Sequence, residues 1–215
     1  MRWLRDRKHM LPRICIISSG KEKNNEGAHL TALVESIPEN VHCMLQIREK
    51  HLDGLTLYNL ACLARRKRGT RKVLLFLNER ADIALVSGLE GVHLPDKACS
   101  PSALKKGGLE MLFGCSVHSP QSAIEAERNG ADYLLFGPVF DTPSKRMYGP
   151  PQGLEKLKEV CRLTQLPVYA LGGISMETAP LCRDMGAYGC AALSLFLDTA
   201  ALAGTLEQLN LLWQK

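Results

Sequence analysis

The chain has 215 residues, of which 46% are hydrophobic, 6% aromatic and 23% charged, and its formal net charge is +5. This composition is that of a globular protein and excludes a disordered or collagen-like chain. Because aromatic residues are few, the core must be aliphatic, and short Val-, Ile-, Leu- and Ala-rich strands between helices are the usual way to build one.

The basic residues are concentrated in two clusters, one in the N-terminal MRWLRDRKHMLPR and one at positions 65–72, RRKRGTRK. The second cluster follows an amphipathic stretch and precedes the apolar run VLLFL, where the negative end of a helix dipole favours cations. We interpret it as a solvated connection between a helix and a strand, and we expect no nucleic-acid partner.

The chain has eight cysteines, several of which lie inside apolar runs, and it contains no C-x-x-C pair. This pattern favours buried, reduced thiols over a disulfide framework. The N-terminal segment interleaves charges with apolar residues, so it predicts neither a signal peptide nor a membrane span. We therefore expect a cytoplasmic protein with no membrane partner.

Eight apolar runs of strand length alternate with amphipathic stretches along the chain. The predicted strands are Arg13–Ile17, His42–Gln46, Val73–Leu77, Gly91–Leu94, Met111–Gly114, Tyr133–Phe136, Val168–Leu171 and Cys190–Leu193. The predicted helices are Ala28–Ser36, Leu55–Arg66, Ala81–Ser87, Ser102–Lys106, Pro120–Asn129, Leu154–Leu163, Glu177–Asp184 and Ala200–Trp213. Strands and helices that alternate at this spacing indicate parallel βα units.

Eight βα units can close into a barrel or form an open doubly wound sheet. The first predicted strand is not followed by a G-x-G-x-x-G turn, which removes the main sign of a dinucleotide-binding open sheet. We therefore predict a single-domain (β/α)8 TIM barrel at residues 12–215, preceded by an N-terminal extension at residues 1–11. In this fold the functional residues lie at the carboxyl ends of the strands.

Polar residues follow the second and third predicted strands. In QIREK, strand alternation places Gln46, Arg48 and Lys50 on one side, provided that the strand persists that far. Asn78 follows the third strand. Cations and amides in this position suit a phosphate or diphosphate group, and an exposed charged loop is the alternative interpretation.

The fifth strand leads into GCSVHS, which supplies Ser116 and His118. His118 can carry a proton near neutral pH, although an imidazole with a purely structural role is an equal alternative. His93 lies within a predicted strand, and we expect it to be a hydrogen-bonded core residue. The other four histidines, His9, His29, His42 and His51, show no metal-ligand spacing.

The last three strands end in a long loop, a glycine pair and a serine. The candidate residues are Thr142, Ser144, Lys145, Gly172, Gly173 and Ser194. We expect the loop to close over an anionic substrate, with Lys145 as a charge partner rather than a Schiff-base lysine. LGGIS is a candidate phosphate cradle, because glycines let backbone N–H groups approach an anion and the short helix that follows offers its positive end; a simple tight turn is the alternative.

Six ordered motifs, QIREK, NERADIAL, GVHLP, GCSVHS, ADYLLFGPVFDTPSK and PVYALGGIS, resemble the thiamine phosphate synthase and TenI family from about Leu45 to the C-terminus. The resemblance implies a (β/α)8 barrel enzyme of thiamine biosynthesis. Synthases in this family join hydroxymethylpyrimidine diphosphate to thiazole phosphate with Mg²⁺. By resemblance, Gln46, Arg48, Lys50, Asn78 and Lys145 would bind diphosphate, whereas Thr142, Ser144, Gly173 and Ser194 would bind the thiazole phosphate.

The chain departs from the synthase pattern at two acidic positions. An Asn-Asp pair is replaced by Asn78 and Glu79, and a later Asp is replaced by Ala98, with Asp96 two positions away. A longer carboxylate and a missing one both weaken a Mg²⁺ site, so we expect metal binding, through Glu79, only if the chain is a synthase.

The TenI proteins of this family lack the same acidic pair and share the S-V-H-S form. They isomerise carboxythiazole phosphate without metal, which would make His118 the acid and base. We favour this thiazole tautomerase, with the synthase as the alternative and a non-catalytic binder of thiazole or thiamine phosphate as a third hypothesis. The expected partners are small phosphate substrates, together with a second copy of the chain in a homodimer, since barrels of this size often pair.

Overall fold

The computed structural model describes residues 11–22, 27–142 and 149–214. Its strands are β1 (Ile14–Ile17), β2 (Cys43–Ile47), β3 (Val73–Asn78), β4 (Gly91–Leu94), β5 (Leu112–Val117), β6 (Tyr133–Phe136), β7 (Val168–Leu171) and β8 (Gly189–Ala192). All neighbouring strands are parallel, and β8 pairs with β1, so the sheet closes into a barrel. The predicted (β/α)8 barrel is confirmed.

The helices that cover the barrel alternate with the strands. They are α1 (Ala28–Glu35), α2 (Gly54–Arg68), α3 (Ala81–Val86), α4 (Pro101–Lys106), α5 (Pro120–Arg128), α6 (Gly153–Leu163), α7 (Thr178–Asp184) and α8 (Leu202–Leu212), and a short 3₁₀ turn (Ser194–Phe196) follows β8. Side chains of Asp53, Ser100 and Ser119 accept backbone N–H groups at the starts of α2, α4 and α5. In the described part of the chain, no helix is both long and apolar enough to cross a bilayer.

Both faces of the strands are buried, which explains their nearly continuous apolar runs. Alternate residues such as Met44, Phe76 and Tyr133 fill the barrel interior, and the remaining strand residues pack against the helices. Aromatic rings fit inside only where the neighbouring strand carries glycine. A Cβ on Gly91 would lie 2.4 Å from the Phe76 ring, and one on Gly114 would lie 2.0 Å from Cζ of Tyr133.

Gly114 also explains an error in the predicted strands. We predicted that the fifth strand ends at Gly114, but β5 continues to Val117. This glycine makes room for the Tyr133 ring and does not end the strand. Ser116 therefore lies within β5, and its side chain shares the inward face with Leu112.

The barrel floor is closed by the segment that precedes β1. Tyr169 donates its hydroxyl to the Pro12 carbonyl at 2.6 Å, and the Tyr188 hydroxyl donates to the Leu11 carbonyl. Arg13 stacks on the Tyr188 ring, with Cζ 3.8 Å from the ring centroid. Leu11 is thus buried in the barrel interior. The predicted extension at residues 1–11 stays a prediction, because residues 1–10 lie outside the described part.

The basic cluster at positions 65–72 is largely engaged within the protein. Helix α2 extends to Arg68, two residues further than predicted, so the cluster begins in the last helical turn. Lys67 pairs with Glu35 at 2.8 Å, Arg68 pairs with Glu90 at 2.7 Å, and Arg71 donates to the Ile37 carbonyl at 2.9 Å. These contacts tie α2 to its neighbours and give the cluster a structural role.

Candidate functional site

Four polar side chains at the carboxyl ends of β2 to β5 share the face that points into the barrel. They are Gln46, Asn78, His93 and Ser116, and strand alternation places the first two above the interior residues Met44 and Phe76. Only 2% of Gln46, 9% of Asn78 and 2% of His93 is exposed. On the side formed by β2 to β5, the mouth of the barrel is therefore lined by buried amides, an imidazole and a hydroxyl.

Gln46 carries an unsatisfied hydrogen-bond donor. Its side-chain nitrogen is buried and has no acceptor among the described residues. An unsatisfied buried donor costs about 1–3 kcal/mol, and a ligand oxygen would satisfy it. This observation supports a site at the mouth that receives oxygen-rich groups.

His93 links two neighbouring strands at the mouth. Its Nε2 lies 2.8 Å from the Ser116 hydroxyl, and its Nδ1 lies 3.3 Å from the Tyr133 hydroxyl. Burial, and secondly the nearby positive charge of Arg48, lower the pKa of His93 to about 3. The imidazole is therefore neutral at physiological pH. The sequence predicted a hydrogen-bonded core histidine, and it did not predict that this residue reaches the mouth.

Arg48 and Lys50 follow the end of β2. We predicted strand alternation from Gln46 to Lys50, but β2 ends at Ile47. Arg48 is half-buried, and its charge acts on His93, which places it at the mouth. Lys50 is exposed and lines a cavity with Asn78 and Arg80.

Glu49 lies between these two cations and makes a different set of contacts. Its carboxylate accepts hydrogen bonds from the Ser18 hydroxyl at 2.6 Å, the Gly20 N–H at 3.0 Å and the Glu22 N–H at 3.1 Å. Sequence analysis assigned no role to Glu49. No local pattern signals these contacts, because the three donors lie 31, 29 and 27 positions away along the chain.

Glu79 contributes an exposed carboxylate to the cavity at the ends of β2 and β3. Its backbone has a φ of 68°, in the left-handed region that non-glycine residues rarely adopt. The Glu79 N–H donates to the His93 carbonyl at 2.8 Å, so this conformation is tied to β4. Backbone strain of this kind is concentrated at functional sites.

The carboxylates near this cavity differ in whether they could reach a metal ion. Glu49 is occupied by three donors, and Asp82 pairs with Arg80 at 2.6 Å. No group of three or more His, Cys, Asp or Glu residues in the described ranges could hold a metal ion by itself. Among the residues that the structure describes, Glu79, next to Asn78, is the carboxylate on the cavity wall without such ties. This donor set fits a Mg²⁺ ion that substrate phosphates hold in large part, as Mg²⁺ commonly is.

His118 lies in the connection between β5 and α5. Its Nδ1 donates to the Gly137 carbonyl at 2.5 Å, and its N–H donates to the Ser122 hydroxyl at 3.1 Å. Because a carbonyl oxygen can only accept, Nδ1 carries the hydrogen and Nε2 is the acceptor of the neutral ring. The residue as a whole is exposed.

The glycine pair after β7 forms a tight turn against the β6–α6 connection. Gly172 and Gly173 have φ values of 95° and 66°. A Cβ on Gly172 would lie 2.6 Å from Cβ of Pro138, and one on Gly173 would lie 2.6 Å from Cβ of Phe140. The turn therefore admits no side chain and brings its backbone to the carboxyl end of β7.

The start of α7 is satisfied within the protein. The Ser175 N–H donates to the Thr178 hydroxyl at 2.8 Å, and the Thr178 N–H donates to the Ser175 hydroxyl at 3.3 Å. We expected the positive end of this helix to assist an anion, but side chains already engage these two amides. The glycine turn and Ser194 are the remaining candidate groups of the cradle.

The other predicted site residues, which follow β6 and β8, are only partly described. β8 ends at Ala192, one residue earlier than predicted. Ser194 is exposed and is the first residue of the 3₁₀ turn that follows. Thr142 is half-buried at the end of the loop segment that follows β6. Ser144 and Lys145 lie outside the described residues, so their predicted roles stay predictions.

Comparisons with known proteins place this barrel in a family. The model of the thiamine monophosphate synthase family matches residues 14–196. A putative thiamine-phosphate synthase 2 from Aquifex aeolicus (strain VF5) is 41% identical over 188 residues, which cover 87% of this chain and 99% of that protein. The thiamine-phosphate synthase of Syntrophomonas wolfei subsp. wolfei is 34% identical over 173 residues, which cover 80% of this chain and 83% of that protein.

A solved structure gives the same result. The thiamine phosphate pyrophosphorylase from Pyrococcus furiosus superposes with a TM-score of 0.81 at 26% identity, and the match covers 96% of this chain and 97% of that one. The predicted family resemblance is confirmed. The chain belongs to the thiamine monophosphate synthase family.

Proposed function

We propose that the chain is a thiamine-phosphate synthase, a transferase that joins hydroxymethylpyrimidine diphosphate to thiazole phosphate and releases diphosphate. Its relatives named above are described as synthases, which favours this alternative over the tautomerase that the sequence led us to expect. The observation that carries the proposal is that polar groups suited to phosphate occupy two separate sectors of the mouth.

The first sector is formed by β2 and β3. It contains the unsatisfied Gln46 amide, the Asn78 amide and the cations Arg48 and Lys50. A departing diphosphate needs positive charge and fixed donors more than it needs a general acid, and these groups supply both. In this assignment Gln46, Arg48, Lys50 and Asn78 bind the diphosphate, together with Lys145.

The second sector is formed by β7, β8 and the loop after β6. Gly172, Gly173 and Ser194, with Thr142 and Ser144, would hold the thiazole phosphate. The isomerisation of one monophosphate requires only one such sector, whereas the joining of two phosphorylated substrates requires both. Two sectors in one mouth would also bring the reacting atoms together, which lowers the entropic barrier.

Mg²⁺ fits the first sector with Glu79 and the Asn78 amide oxygen as protein ligands. When bound, the ion would neutralise charge on the diphosphate. Arg48 and Lys50 provide charge compensation of their own, and the Gln46 amide orients the diphosphate oxygens. The neutral His93 ring holds the Ser116 hydroxyl at the base of the mouth.

The test is a product assay on the purified protein with both substrates, with Mg²⁺ and again with chelator. We expect metal-dependent thiamine phosphate. Arg48→Met should raise the KM for the pyrimidine diphosphate, and Ser194→Ala should raise the KM for the thiazole phosphate. Arg66→Met, which removes an exposed cation from α2, is the matched control and should change neither. The absence of product at saturating substrate and metal would refute the synthase.

The tautomerase remains a second candidate because of one observation at His118. The Gly137 carbonyl fixes the hydrogen on Nδ1, which leaves Nε2 as the acceptor that could take a proton from a substrate. Isomerisation of carboxythiazole phosphate without metal, and a large loss on His118→Ala, would favour this reaction. Tight binding without either conversion would indicate the non-catalytic binder.

The cytoplasmic location and the homodimer also stay predictions.

A further inference from the structure

We propose that Glu49 is a positioning residue for the first sector. In this proposal, its carboxylate holds residues 18–22, which follow β1, against the end of β2 and thereby fixes Arg48 and Lys50 in the arrangement that receives an anion. The identity of the anion as a diphosphate rests on the proposed function. The positioning role itself rests on the contacts of Glu49.

The carboxylate of Glu49 is almost completely enclosed. Only 3% of the residue is exposed, and three hydrogen bonds converge on its two oxygens. Oε1 accepts from the Ser18 hydroxyl at 2.6 Å and from the Gly20 N–H at 3.0 Å, and Oε2 accepts from the Glu22 N–H at 3.1 Å. All three donors lie within residues 18–22, the described segment that follows β1, so Glu49 organises that segment.

Ser18 transmits this order to Gln46 and Arg48 at the end of β2. Its hydroxyl oxygen accepts the Arg48 N–H at 2.8 Å, and its own N–H donates to the Gln46 carbonyl at 3.0 Å. The Ser18 hydroxyl can donate only one hydrogen, and Glu49 receives it. The orientation of Ser18, and with it the backbone of Arg48, therefore depends on the Glu49 carboxylate.

A second layer of contacts strengthens the same loop. The Glu22 carboxylate accepts the Leu30 N–H at the start of α1, and the Glu22 carbonyl contacts Nε2 of His51. The Leu52 N–H donates to the Glu49 carbonyl at 3.2 Å. Residues 18–22 and the residues that follow β2 thus form one hydrogen-bonded unit, and the Glu49 side chain lies at its centre.

The consequence for binding is preorganisation. A loop that is ordered before the ligand arrives does not have to be ordered by the ligand, so affinity is not reduced by that entropy. If the carboxylate is replaced by an amide, one oxygen becomes an NH₂ group that faces N–H or O–H donors. The loop then loosens, and only ligands of the first sector should bind more weakly.

The experiment compares Glu49→Gln with Asp132→Asn. Asp132 is the matched control because it is also buried, with 6% exposed, and accepts a backbone N–H, that of Phe113 at 2.9 Å, but it directly precedes β6 and lies at the floor end. Inorganic pyrophosphate is titrated into each protein by calorimetry, and the KM of each substrate is measured where the enzyme turns over. Tm is recorded for every variant.

We expect Glu49→Gln to weaken pyrophosphate binding about tenfold, with the KM for thiazole phosphate within about twofold of wild type. Asp132→Asn should lower Tm without changing pyrophosphate binding. If Glu49→Gln does not fold, Ser18→Ala removes the same link to Arg48 and retains the carboxylate; it should give the same selective loss.

Three results would overturn the proposal. The first is a KM raised equally for both substrates in Glu49→Gln, and the second is unchanged pyrophosphate binding in both Glu49→Gln and Ser18→Ala. The third is a wild type that does not bind pyrophosphate. If the wild type binds pyrophosphate but forms no thiamine phosphate, the proposed synthase is refuted. The calorimetric comparison still decides the role of Glu49 in that case. The two proposals can therefore fail separately.

Discussion

Nε2 of His93 lies 2.8 Å from the hydroxyl of Ser116, and this contact joins β4 to β5 at the base of the barrel mouth. The same ring reaches the Tyr133 hydroxyl at 3.3 Å on its other side. Because burial holds the pKa of His93 at about 3, the ring does not exchange protons near neutral pH. Its role at the mouth is to orient Ser116, and proton transfer there would need another group.

The first prediction concerns His93→Gln and the pH dependence of stability. The unfolded histidine titrates near its ordinary pKa of 6.5, whereas in the folded state the pKa is about 3. The wild type therefore loses stability as pH falls below about 6.5, by up to about 1.4 kcal/mol for each pH unit. The variant lacks this loss, so the wild-type and variant free energies of unfolding should converge as pH falls.

Urea unfolding at pH 7.5, 6.0, 5.0 and 4.5 measures this effect. Parallel stability curves for wild type and His93→Gln would show that His93 is not held neutral.

The second prediction concerns Gly173→Ala in the glycine turn. An alanine Cβ would lie 2.6 Å from Cβ of Phe140, at a φ of 66°. We expect a loss of about 1–3 kcal/mol in stability and a KM for thiazole phosphate raised about tenfold, with little change for the pyrimidine diphosphate. Gly108→Ala is the control, since Gly108 also has a positive φ, of 89°, but a Cβ there meets no atom within 4 Å. Equal kinetic effects at both glycines would contradict a cradle at β7.

How much could be predicted from sequence depends on whether an element is defined by local pattern or by packing. The barrel followed from apolar runs, and β4, β6 and β7 have the predicted bounds, because strands buried on both faces have a clear local pattern. The end of β5 could not be predicted in this way, because Gly114 is required by the Tyr133 ring on the next strand and does not end β5. The contacts of His93 and Glu49 join residues 23 and 31 positions apart, and no local pattern encodes them.

The third prediction concerns the reactivity of the cysteines. Burial raises the pKa of the Cys43 and Cys190 thiols to about 12 and raises that of Cys15 further. Thiolate is the reactive form, so these residues should resist iodoacetamide in the native protein at pH 7.5. Cys99 is exposed and should be alkylated first. Peptide mass spectrometry of a labelling time course measures this order, and fast native labelling of Cys15 would contradict it.

The fourth prediction separates the barrel floor from the mouth through Tyr169→Phe. The Tyr169 hydroxyl donates to the Pro12 carbonyl at 2.6 Å, in the buried segment that closes the floor. Loss of the hydroxyl leaves that carbonyl without this donor, so the free energy of unfolding should fall by about 1–3 kcal/mol. Neither KM should change, because the floor is at the opposite end of the barrel from the ligand-binding loops. Tyr58→Phe on the surface of α2 is the control and should change stability by less than about 0.5 kcal/mol. Urea unfolding and steady-state kinetics test both statements, and a KM increase with unchanged stability would reverse the assignment of floor and mouth.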